Sequence, residues 1–69
     1  MKYSATFLIE TCDILEGKQI NSFGELNDLL SRCLKSTYSL LDASLKERLV
    51  NDVKSMMTIE NNQLFYKEF

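Results

Sequence analysis

The sequence predicts an α+β fold: a small antiparallel sheet of two to four short strands with two amphipathic helices packed on one face, in the order β(β)αα(β)β. Three observations predict it. Residues 2–12 alternate between apolar and polar positions, two later stretches repeat apolar residues at helical spacing, and an aromatic tail is broken by Asn61 and Asn62.

In residues 2–12, Tyr3, Ala5, Phe7 and Ile9 share one face, and Ser4, Thr6, Leu8 and Glu10 the other. Period two with aromatic and β-branched residues predicts a half-buried strand, its Tyr-Ala-Phe-Ile face toward the core. Glu16 and Gly17 then predict a turn, because glycine takes positive φ without a steric cost. A short second strand is expected around residues 18–20.

Ser22 with Glu25 fits a capping box, in which the Ser side chain accepts from the third helical amide and Glu reaches back. Phe23, Leu26, Leu29, Leu30, Cys33 and Leu34 then follow at helical spacing. Glu25, Asn27, Asp28, Ser31, Arg32 and Lys35 take the opposite arc. Asp28 precedes Arg32 by four residues, the favourable order, and Lys35 suits the C-terminal end of the dipole.

Residues 36–43 read as a connection with a short turn of helix holding Leu40 and Leu41. Ser44 with Glu47 offers a second capping box. Leu45, Leu49, Val50, Val53, Met56 and Met57 form the apolar arc of the second helix. Lys46 falls within that arc, where its stem packs while its ammonium reaches water. In the tail, Asn61 and Asn62 signal a turn and residues 63–67 a strand, with residues 58–60 as the other arm of a hairpin. The predicted core joins Phe7, Ile9, Leu26, Leu30, Leu45, Leu49 and Val53.

The chain has 69 residues, enough for one domain spanning 1–69. A core this small is marginal, so self-association into a homodimer is a natural way to bury more surface. Eight cations are interspersed with ten anions, for a net charge of -2. That balance argues against general affinity for nucleic acid or anionic membranes, both of which need a basic excess. No apolar run approaches the ~20 residues that span a bilayer. Ser4, Thr6, Glu10 and Thr11 interrupt any signal-peptide core, so a cytoplasmic location is expected. The two cysteines should stay reduced there.

Histidine is absent, which rules out Ser-His-Asp and Cys-His arrangements. Cys12 and Cys33 without histidine do not make a zinc ligand set. Cys33 lies on the apolar arc of the first helix and reads as a core residue; Cys12 lies at a strand end, with nothing nearby to lower its pKa. Asp13 and Glu16 flank the first turn without the spacing of a calcium loop, so they read as solvated turn residues. Gly17 and Gly24 lack the pattern of a phosphate loop. No metal, cofactor or catalytic residue is expected, and the chain does not read as an enzyme.

A helix-turn-helix reading meets a connection longer than the usual turn of about 3–4 residues. It also meets a neutral outer face on the second helix, where Glu47 and Asp52 balance Arg48 and Lys54. Tyr3, Phe65 and Tyr66 offer a stacking platform for single-stranded nucleic acid, but sheet packing accounts for them more simply. Met56, Met57 and Ile59 form an apolar cluster that suits an adaptable contact surface and equally fills gaps in a core, with core filling the simpler account.

The function expected is a protein-binding regulator or inhibitor, of the kind an accessory protein of a phage or mobile element supplies. The alternative is a nucleic-acid-binding transcriptional regulator. The expected partner surface is a sheet edge or the Met-aromatic end: Leu64, Phe65, Tyr66, Phe69 and Met57. Alternate strand residues face opposite ways, so these side chains cannot all point inward.

Overall fold

The computed structural model of the chain describes residues 3–68. Helix α1 spans Ala5–Leu15, α2 Leu26–Leu34, α3 Ser36–Ser39 and α4 Ala43–Met56; a 3-10 turn, Phe23–Glu25, leads into α2. Strands β1, Met57–Glu60, and β2, Gln63–Tyr66, form a two-stranded antiparallel sheet. The fold is α+β, as expected, but the sheet lies at the C-terminal end of the described chain and the helices precede it.

The first segment is the main correction. Residues 5–15 form a helix, not a strand. Ser4 caps it, its Oγ accepting from the Phe7 amide at 3.1 Å. A helical pattern lies beneath the alternation: Leu8, Thr11, Cys12 and Leu15 fall at i, i+3, i+4 and i+7. The last three are buried and Leu8 is half-buried against them. Thr11 satisfies its hydroxyl within the helix, donating to the Phe7 carbonyl at 2.9 Å. Ile9, expected in the core, is 44% exposed because the helical period turns it outward.

The expected second strand contracts to a single bridge between Gln19 and Gln63. Gly17, at φ +80, turns the chain after α1. A side chain there would meet no neighbouring atom, so backbone conformation alone favours glycine.

Neither capping box forms as expected. The 3-10 turn moves the start of α2 to Leu26, and Ser22 makes no side-chain cap. Glu25 reaches past it to the Asn21 amide, at 3.4 Å. For α4, Asp42 is the cap: its Oδ1 accepts from the Leu45 amide at 2.8 Å. Leu41, buried immediately before it, anchors the chain there, so Ser44 falls inside the helix. The single-turn α3 ends before Leu40 and Leu41, which separate: Leu41 is buried and Leu40 is 74% exposed. Lys35 joins α2 to α3 at φ 54, an uncommon backbone conformation for a branched-chain-free but Cβ-bearing residue.

The core lies where α1, α2, α4 and the sheet meet. Of the predicted set, Leu26, Leu30, Leu49 and Val53 are fully buried, and Phe7 and Leu45 pack half-buried against them. Tyr38 closes one end: it is buried, and its hydroxyl donates to Asn27 Oδ1. Half-buried Lys46 lays its ammonium 5.1 Å from the Tyr38 ring centre, so its stem packs as the sequence suggests. Tyr3 ties the start of α1 to α4. Its hydroxyl donates to Asp52, and the Arg48 guanidinium lies 4.5 Å from its ring centre.

Two stability measurements check this packing. Leu30→Ala should lose about 2–5 kcal/mol in urea unfolding, whereas Ile9→Ala on the outward side of α1 should stay within about 0.5 kcal/mol of the parent.

Candidate functional site

The hairpin carries most of the residues expected to bind a partner. Helix α4 passes directly into it: the Met57 amide still donates to the Val53 carbonyl while its backbone is already extended. Asn61 and Asn62 make the turn at φ 52 and φ 60. Positive φ at both central residues marks a type I′ turn, whose twist matches that of the flanking strands. The register pairs Met57 with Tyr66, Thr58 with Phe65, Ile59 with Leu64 and Glu60 with Gln63.

Opposite residues share a face. One face holds Met57, Ile59, Leu64 and Tyr66. Met57 and Leu64 are 0% exposed, and Ile59 and Tyr66 pack half-buried against the core. Met57 and Leu64 are therefore core residues and correct the expected partner surface: on a strand packed against helices, the inward positions are spent on the core. The other face holds Thr58, Glu60, Gln63 and Phe65. Phe65 is half-buried there and lies outside the buried core. Phe65 and Tyr66 thus point to opposite sides of β2, so they do not join Tyr3 in a single stacking surface. Phe69 lies outside the described residues.

The two sheet edges differ. Residues flanking a two-residue turn bond each other, so the backbone groups of Leu64 point away from β1 and those of Ile59 away from β2. Those of Leu64 are satisfied. Its N–H donates to the Lys18 carbonyl at 3.0 Å, and its carbonyl accepts from the Gly17 amide at 2.7 Å. The Ile20 amide adds a bond to the Asn62 carbonyl at 2.9 Å. The Ile59 N–H and C=O have no such partner among the described residues. β2 is a closed edge and β1 an open one.

Asp13 and Glu16 do structural work that sequence spacing did not show. Glu16 Oε2 accepts from the Tyr66 amide at 3.0 Å, and Asp13 accepts from the Tyr66 hydroxyl. The carboxylates lie on and just after α1, far in sequence from the strand they hold, so no local pattern could reveal the pairing. Partial burial raises the Tyr66 phenol above its ordinary pKa, and the hydrogen bond to Asp13 and its charge raise it further. Among the described residues, no group of three or more Cys, Asp and Glu is placed to hold a metal ion.

Cys12 and Cys33 are both free. Cys12 is buried, and its thiol is pushed up to about 11, first by burial and then by the charges of Asp13 and Asp52. Cys33 is only half-buried, short of the core position expected for it.

No helix among the described residues is long and apolar enough to cross a membrane. The chain matches no known protein family, curated protein or solved structure.

Two outcomes follow for the turn and the thiol. Asn62→Val forces a β-branched residue into positive φ and should cost about 1–2 kcal/mol, read by urea unfolding. Cys12 supplies stability that is complete below the unfolded thiol's pKa of 9.0 and declines as pH rises through about 11. The melting temperature of the parent should therefore fall more steeply between those values than that of Cys12→Ala.

Proposed function

We propose that this chain is a small protein-binding module, acting as a regulator or inhibitor of the protein it binds, and that the outer face of the hairpin makes the contact. The observation that carries this reading is Phe65. It is an aromatic side chain held on the outer side of the two-stranded hairpin, outside the buried core. Aromatic anchors of this kind supply a large share of binding energy when a partner pocket removes them from water. Glu60 and Thr58 lie on the same face. The complementary partner surface offers an apolar pocket for the ring, a cation for Glu60 and a hydrogen-bonding group for Thr58.

The net charge of -2 favours protein over nucleic acid as the partner. An accessory role in a phage or mobile element is part of the same proposal. A cytoplasmic site of action belongs to the same proposal.

The test is affinity capture from the native host with the parent chain and Phe65→Ala in parallel, after circular dichroism shows both folded. Mass spectrometry should find a protein retained by the parent and lost from the variant. With that protein purified, Phe65→Ala should weaken binding at least roughly tenfold, as for an anchor residue. Equal retention by both chains, or recovery of DNA or RNA in place of protein, would overturn the reading.

A further inference from the structure

We infer that the open edge of β1 pairs with β1 of a second copy, in antiparallel register with Ile59 on the two-fold axis. The result is a four-stranded sheet ordered β2-β1-β1-β2 across two chains.

The hydrogen-bond inventory selects this register. An antiparallel pair exchanges two bonds between residues whose backbone groups point outward. On β1 those residues are Met57 and Ile59, by the register of the hairpin. The Met57 N–H is already committed to the Val53 carbonyl. Registers that pair Met57 with Met57 or with Ile59 of the second copy therefore lack a donor. Pairing Ile59 with Ile59 needs only groups that have no partner among the described residues: each N–H donates to the other copy's carbonyl. The opposite edge of the hairpin is closed by Gly17 and Lys18, so β1 alone is available.

Side chains agree with this choice. With Ile59 on the axis, Thr58 faces Glu60 of the second copy, and the reverse. The two Glu60 carboxylates do not oppose each other directly, and a threonine is a neutral cross-strand neighbour. On the inner side, the two half-buried Ile59 side chains meet at the axis and cover each other. The edge also has little protection against pairing: it contains no proline, and its one charge, Glu60, points to the outer face rather than along the edge.

The pairing enlarges the face assigned above. Phe65 of both copies lies on the same outer side, about 15 Å apart by the strand spacing. The two-ring face rests on the proposed protein-binding reading; the dimer does not.

Sedimentation equilibrium of the full chain, from about 5 µM to about 1 mM, tests the dimer directly. The Ile59 amide should exchange with solvent quickly when dilute and become protected as dimer forms. Thr58→Glu places a carboxylate opposite Glu60 on both sides of the axis and should weaken the dimer roughly fivefold, whereas Thr58→Lys should tighten it by a similar factor. Both substitutions lie on the outer face, and circular dichroism verifies their fold. A monomer across the whole range overturns the inference, as does a dimer that neither substitution changes or that leaves the Ile59 amide unprotected. A monomer that still captures its partner through Phe65 refutes the dimer and leaves the protein-binding reading standing.

Discussion

A two-stranded hairpin is marginal in water by itself, because half of its backbone groups face outward and only one side of it can bury apolar surface. Here the segment after α1 supplies what the hairpin lacks. Gly17, at positive φ, turns the chain so that residues 17–20 run beside β2 and satisfy Leu64 on both its N–H and its carbonyl. The rest of the arrangement follows from that docking. Leu64 and Met57 are excluded from water where the Leu64 backbone groups are satisfied by Gly17 and Lys18 and α1 and α4 pack against the sheet. The free edge is left on the other strand.

Three carboxylates act as long-range fasteners: Asp13 and Glu16 hold Tyr66, and Asp52 holds Tyr3, while Glu25 makes a local contact with Asn21. The two carboxylates that flank the first turn, solvated in the sequence reading, accept from a backbone amide and a phenol of β2. Cys12 lies between two of the acids, Asp13 and Asp52, in a buried position, which disfavours its thiolate. Asp13, Glu16 and Asp52 are thus occupied in joining elements distant in sequence, whereas half-buried Phe65 lies on the outer side of the hairpin, outside the buried core.

Much of the fold was legible from local pattern. The faces of α2 and α4 were readable because their apolar residues recur at helical spacing with polar residues opposite, and Leu26, Leu30, Leu49 and Val53 are buried accordingly. The hairpin was readable because consecutive Asn residues tolerate positive φ better than almost any other non-glycine pair. α1 was not. Its aromatic and β-branched residues suit a strand, and its alternation at Tyr3, Ala5, Phe7 and Ile9 coexists with the helical set Leu8, Thr11, Cys12 and Leu15. Both patterns are present; the choice depends on which set finds a surface to cover. The candidate site was half legible: alternation showed that the tail residues must split between two faces, but not which of them faced the helices.

The sequence by itself determined the α+β class, the buried stripes of the two later helices, the reversal at Gly17 and the hairpin turn, because each depends on periodicity or on the φ a residue tolerates. Tertiary structure decided the rest. It made α1 a helix by giving Leu15 and Cys12 a core to enter, reduced residues 18–20 to a strip along β2, turned Met57 and Leu64 inward and left Phe65 outside. The physical reason is common to all four: each is a competition between two locally acceptable conformations, and burial against residues far along the chain is the larger energy that settles it.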